Sequence, residues 1–231
     1  MASRPLAELF ERQARRWELE RRAGMPAARG AVVSISRQPW ADGEEVAALV
    51  AGWLDYGLFG LAELQELARD PVLRERLVAG LEPAARAEVE RRASALFREL
   101  DPAEVRDLAA VVAALGERGM AVVVGRGALS VLPAERTLRV LVVAPREERA
   151  RRLARAQGLD AAAADAQLAR EDEARRAFLR ERLGIESDDP ALYDLVINTA
   201  SFSPEAAAAL VVEAVRRRVP RPPPGGAGSA S

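Results

Sequence analysis

The chain contains no cysteine, no histidine and no lysine, and each absence removes a class of chemistry. Without cysteine there is no disulfide and no thiolate; without histidine no Ser-His or Cys-His pair; without lysine no Schiff base. Zinc sites built on His or Cys are excluded for the same reason. Long apolar runs are missing too, since no stretch approaches the roughly 20 residues that span a bilayer. The first residues, PLAELFERQARRWELERR, are interspersed with glutamates and resemble neither a secretory signal nor an organellar presequence, so a cytoplasmic location and no membrane partner are expected. Charge of one sign is also lacking: 34 basic residues, all Arg, face 35 acidic ones, and the net charge of -1 gives no reason to expect nucleic acid as a partner. What remains open is phosphate chemistry run by arginines, backbone amides and a carboxylate-held magnesium ion.

At 231 residues and 49% hydrophobic content the chain can bury one sizeable core. Leu6, Leu9, Phe10 and Trp17 recur at helical spacing and predict an N-terminal amphipathic helix within residues 1–29, packed on the domain or on a protein partner or second copy. Ala31 to Ser36, Ala121 to Gly125, Leu138 to Ala144 and Asp194 to Thr199 are short, β-branched apolar runs. Such continuous runs suit a parallel sheet covered on both faces. A helix is expected after Asp42 and Gly43, with Val46, Leu49, Val50, Trp53 and Leu54 on one side. Residues 61–118 read as three or four helices interrupted at Pro71, Pro83 and Pro102, and about 145–187 as a helical, lid-like stretch broken at Gly158. Ser203 caps a closing helix, and 219–231 is disordered by composition. Strands alternating with helices give an α/β domain over 30–218, with a doubly wound, mostly parallel sheet and a helical insert.

In that architecture ligands sit at the carboxyl ends of the strands. The loop after the first strand, SRQPWADGEE, is where backbone amides and a helix N-terminus converge, which makes Ser36, Arg37, Asp42 and Gly43 candidates for phosphate contact or for a plain loop and cap. The Gly125-Arg126-Gly127 turn sets Arg126 at a strand end, either for a substrate anion or as a solvated turn. Arg149 and Arg152, and Arg170, Asp172, Arg175 and Arg176, suit a lid closing over phosphate. They suit equally well solvated helix faces with i, i+4 pairs such as Glu171 to Arg175 and Asp172 to Arg176. No metal ligand set is apparent.

The order of these pieces resembles the cytidylate kinase-like family of P-loop phosphotransferases. The matching text is VSISRQ at Val33 to Gln38, VVVGRGA at Val122 to Ala128, LRVLVVAPREERARRLA at Leu138 to Ala154, the REDEARR helix, and DDPALYDLVINTASFSPEA at Asp188 to Ala206. The resemblance implies a nucleoside monophosphate kinase fold that passes a phosphoryl group from ATP, with Mg2+, to a nucleotide such as CMP. It also implies that Ser36 and Gly43 line the donor phosphates, that Arg126 meets the acceptor, and that the arginines from Arg149 to Arg176 form the lid. The chain departs from the family at the loop, where a Gly-Ser-Gly-Gly-Arg-Glu pattern is replaced by Trp40 to Glu45, and at Gly60 and Leu61, where the family carries Asp-Arg. A catalytically inactive kinase fold serving as a regulatory or interaction module is the alternative reading.

Overall fold

The computed structural model describes residues 4–22, 31–81, 83–97, 100–125, 127–184 and 189–217. Five strands, β1 (Val32–Arg37), β2 (Gly57–Phe59), β3 (Ala121–Val124), β4 (Thr137–Val143) and β5 (Leu195–Asn198), form one sheet in the order β2-β3-β1-β4-β5. All pairings are parallel, with Val32 opposite Ala121 on one side and Thr137 on the other. The sheet is thus the expected doubly wound, parallel one. It has one strand more than the sequence reading, because β2 is a three-residue edge strand beginning on glycine, too short for an apolar period to register.

β1 lies at the centre because both its faces are apolar: Val32, Val33 and Ile35 are fully buried. The face carrying Val33 and Ile35 packs on α2 (Gly43–Leu54) and α10 (Pro204–Arg217) through Val46, Ala47, Val50, Ala207 and Val211. Of the apolar side predicted for α2, Trp53 is exposed. The opposite face is covered by α1 (Arg4–Arg22) and by four helices of the predicted insert, α3 (Leu61–Arg69), α4 (Pro71–Val78), α5 (Pro83–Leu96) and α6 (Pro102–Arg118). The prolines open three of these helices at their first position, where a missing N–H costs nothing, and Asp70 and Asp101 cap two of them. A short α7 (Ala128–Val131) leads to β4, and α8 (Arg146–Gln157) and α9 (Ala161–Leu183) make the predicted helical pair broken at Gly158. Ser203 accepts from the Ala206 N–H as the cap of α10. No helix among the described residues is long and apolar enough to cross a membrane.

The apolar face of α1 is spent inside the chain, since Leu6, Phe10 and Trp17 are buried in the same core as the insert helices. Gln13 of α1 binds the sheet directly: its Oε1 accepts from the Gly57 N–H at 2.9 Å, and its Nε2 donates to the Met120 carbonyl at 3.1 Å. Both partners are backbone groups at the start of β2 and β3, and Gln13 is buried. Gln13→Ala therefore removes one hydrogen bond from each, leaving them the 3.3 Å bond from Gly57 N–H to the Met120 carbonyl, and is expected to cost about 1 to 2 kcal/mol of stability. A fall in the urea unfolding midpoint with an unchanged m value checks this.

Candidate functional site

β1 leads toward β2 on one side of the sheet and β4 toward β5 on the other, so the chain's direction switches at the carboxyl end of β1. The loop from Arg37 to Asp42 lies there and feeds α2. Its backbone turns through left-handed conformations at Trp40 (φ 62°) and Asp42 (φ 55°), neither of which is glycine. Such a residue costs about 1 kcal/mol or more, least for Asp and most for a bulky side chain, unless its surroundings hold it.

The surroundings are supplied by α8 and α9. Arg152 pairs with the Asp42 carboxylate at 2.7 Å, and donates to the Trp40 carbonyl at 3.4 Å and to the Thr199 side chain and carbonyl at 3.1 and 2.9 Å. Arg149 donates to the Pro39 carbonyl at 3.3 Å and to Ala144 O at 3.0 Å. The Trp40 ring packs by Leu153, Ala164 and Leu168, and its indole N–H donates to Glu171 at 2.8 Å. Pro39, Trp40 and Asp42 of the loop are thus tied to the helical pair.

The Asp42 carboxylate, drawn to Arg152, makes no cap hydrogen bond to α2. The first-turn N–H groups of Gly43, Glu44 and Glu45 consequently have no acceptor among the described residues. Arg37 lies across this end of the helix. Its Nε and Nη2 both reach Glu44 Oε1 at 2.7 Å, and its stem is pressed so closely on residue 43 that a Cβ there would fall 2.3 Å from Arg37 Cβ. Position 43 is glycine for that reason. Ser36 is buried at the end of β1.

The other candidates divide. Arg149 and Asp172 form a buried bidentate pair at 2.7 and 3.0 Å, in place of the i, i+4 pairing expected for Asp172. Arg175 is also buried, Arg176 is exposed and pairs with Glu173 at 2.8 Å, and Arg170 is exposed. The structure therefore gathers Arg37, Asp42, Gly43, Arg149, Arg152 and Asp172 at the loop and leaves Arg170 and Arg176 on the outer surface. Arg126 lies outside the described residues. Among the described residues no three carboxylates cluster as a metal site, and those of Asp42 and Glu44 are both taken by guanidinium groups. The loop alone does not make a magnesium cage.

Beside the loop opens a cavity of about 580 Å³, bounded by the ends of β2 and β3, by α3, α6, α7 and Phe178 of α9. Arg37 and Glu44 form its loop edge, and Gly60 and Leu61, where the resembled family carries Asp-Arg, also line it. The sequence reading did not find this cavity, because its walls come from six separate segments.

The Arg149–Asp172 pair is a scaffold contact with a testable cost. Removing one partner leaves a buried charge, so Asp172→Ala is expected to lose about 3 to 5 kcal/mol, while a matched apolar replacement of both, Arg149→Met with Asp172→Leu, loses far less. Denaturant unfolding of the single and double variants separates the two values.

The chain matches the model of the cytidylate kinase-like family over residues 32–201. It is 33% identical over 78 residues to a cytidylate kinase of Thermococcus kodakarensis, covering 34% of this chain and 40% of that protein. It is 35% identical over 78 residues to a cytidylate kinase of Halobacterium salinarum, covering 34% of this chain and 41% of that one. These alignments span about two fifths of the relatives' length. A solved structure of an uncharacterized protein from Eubacterium ventriosum superposes with a TM-score of 0.64 at 17% identity, over 81% of this chain and 99% of that one, which shows a shared fold. With the family model running from β1 to just past β5, on a parallel sheet of matching order of motifs, the chain belongs to the cytidylate kinase-like family.

Proposed function

We propose that the chain binds a nucleoside triphosphate by its phosphates at the amino end of α2, as a phosphotransferase of nucleoside monophosphate kinase type whose acceptor sits in the adjoining cavity. The observation that carries this reading is the set of N–H groups at Gly43, Glu44 and Glu45 that have no acceptor among the described residues, Arg152 drawing the Asp42 carboxylate away from the cap position. A helix N-terminus with free amides favours an anion, and the left-handed turns at Trp40 and Asp42 aim the backbone there without glycine.

The work of the protein in such a transfer is positioning and charge stabilisation. Arg37 and Arg152 are the cations at hand, and each now holds a carboxylate that a phosphate oxygen would displace. Arg149 is spent on Asp172 and the loop carbonyl, so it positions rather than contacts. Magnesium, which would neutralise phosphate charge, fits here only as an ion carried in on the nucleotide, since Asp42 and Glu44 are engaged. CMP is the acceptor that the relatives' name suggests, and Arg126, from its place between Gly125 and Gly127, is the residue proposed to meet it. The alternative of an inactive kinase fold is supported by the same ion pairs, which occupy both arginines facing the loop.

Thermal denaturation of the full chain with ATP, GTP, CMP, dCMP and UMP, with and without Mg2+, tests the proposal. A ligand at 100 times its Kd adds about 2.7 kcal/mol, so ATP with Mg2+ is expected to raise Tm by several degrees. Glu44→Gln, which frees Arg37 and removes a negative charge beside the phosphates, is expected to tighten ATP several-fold. Arg126→Ala is expected to weaken monophosphate binding by about 1.5 to 3 kcal/mol, the value of a charge-assisted contact. No shift with any nucleotide leaves the inactive module as the account.

A further inference from the structure

The side chains that fasten the loop to α8 and α9 stand where a side chain fits the backbone least. In the glycine-rich pattern that this loop replaces, the first and third glycines fall at Trp40 and Asp42. Both residues keep the left-handed backbone that glycine adopts freely, at φ 62° and 55°. Each carries a side chain instead, and each side chain is spent on the helical pair. The Trp40 indole N–H donates to Glu171 at 2.8 Å, and the Asp42 carboxylate pairs with Arg152 at 2.7 Å.

The second of these contacts has the chemistry of a ligand contact, since a guanidinium receives a carboxylate and a phosphate oxygen in the same way. Asp42 thus takes on Arg152 the place a phosphate would take, as Glu44 does on Arg37. Arg152 moves with the helical pair as one body, because the buried Arg149–Asp172 pair and the packing of Leu153 with Ala164 and Leu168 join α8 to α9. The seam between that body and the loop consists of the Trp40 ring and a few polar contacts, which can part together. Opening it frees a cation and leaves the end of α2 open. From φ 55° and ψ 22° the Asp42 side chain does not reach the first-turn amides, which an N-cap residue reaches from an extended backbone.

We propose that this seam is an autoinhibitory latch: Asp42 occupies the anion position of Arg152, Trp40 seats the loop against α9, and a triphosphate binds as the latch opens. The proposal rests on the reading of the amino end of α2 as a triphosphate site and adds its regulation. The apparent affinity of a latched site is reduced by the fraction of molecules that are unlatched, so loosening the latch tightens binding. A loop that is merely scaffolded by α8 and α9 behaves in the opposite way, because loosening it loses preorganisation and weakens binding.

Asp42→Gly and Trp40→Gly each remove one latch side chain and leave the residue that the backbone angle favours, the second with no change of charge. Titrated calorimetrically with ATP and Mg2+, the full chain is expected to bind about fivefold more tightly as Asp42→Gly and about threefold more tightly as Trp40→Gly. Glu45→Gln removes a carboxylate from the first turn of α2 that forms no ion pair among the described residues, and reads the plain electrostatic gain, expected at less than about twofold. In Asp42→Gly the Trp40 indole proton is also expected to exchange with solvent about tenfold faster by NMR, a change that Glu45→Gln does not produce. Circular dichroism confirms that each variant is folded, and if one is not, the other decides. Affinity unchanged or weakened in a folded latch variant, or a gain in Asp42→Gly no larger than in Glu45→Gln with indole exchange unmoved, overturns the latch and leaves the triphosphate site standing. ATP binding to neither the unaltered chain nor the variants overturns both.

Discussion

Between Arg37 and Gly43 the backbone has to pass from the central strand into α2 through two left-handed residues, and it does so with tryptophan and aspartate. Such a path is not self-supporting. At about 1 to 3 kcal/mol for each left-handed non-glycine residue, it persists only where neighbours over-determine it. Here they do: Arg152 grips Asp42 and the Trp40 carbonyl, Arg149 grips the Pro39 carbonyl, and Glu171 holds the Trp40 indole. The loop and the α8–α9 pair are in effect one unit. In this chain the arginines of α8 act first as the loop's scaffold, and any contact with a ligand has to be won from a contact already made.

The same interaction shapes the chemistry. Asp42, at the position that would ordinarily cap α2, is instead a partner of Arg152, and the helix end stays open to an anion. Arg37 then lies over Gly43 and pairs with Glu44, so the residue that starts the loop also forms one edge of the apolar cavity. In the proposed reading, donor and acceptor sides meet at this pair. A change at Glu44 is therefore felt on both sides, through the guanidinium it releases and the carboxylate it removes.

Much of the fold was legible because the relevant signals are local. The apolar runs around Val33, Val122, Val140 and Ile197 are strands, and the prolines at 71, 83 and 102 open helices. β2 was not legible, because Gly57–Phe59 is only three residues long and is held in the sheet by its pairing with β3 and the Gln13 contact rather than by an apolar pattern of its own. Site residues were read less well. Arg149, Arg152 and Asp172 were identified as charged groups on helices that could face phosphate, but their partners lie across the fold: Asp172 for Arg149, and Asp42 for Arg152. Spacing along one helix cannot show a pair that joins two elements. Trp40 was noted as a lost glycine, while its packing beneath α9 depended on the position of Leu153, Ala164 and Leu168.

The central claim is that a loop without its glycines still presents the Gly43, Glu44 and Glu45 amides to phosphate. The most direct test is a two-dimensional amide NMR titration of the isotopically labelled chain with ATP and Mg2+. The account predicts that these three resonances move first and furthest, together with the Trp40 indole N–H as the α8–α9 pair adjusts. Unmoved resonances at all three amides, whatever shifts elsewhere, would contradict it.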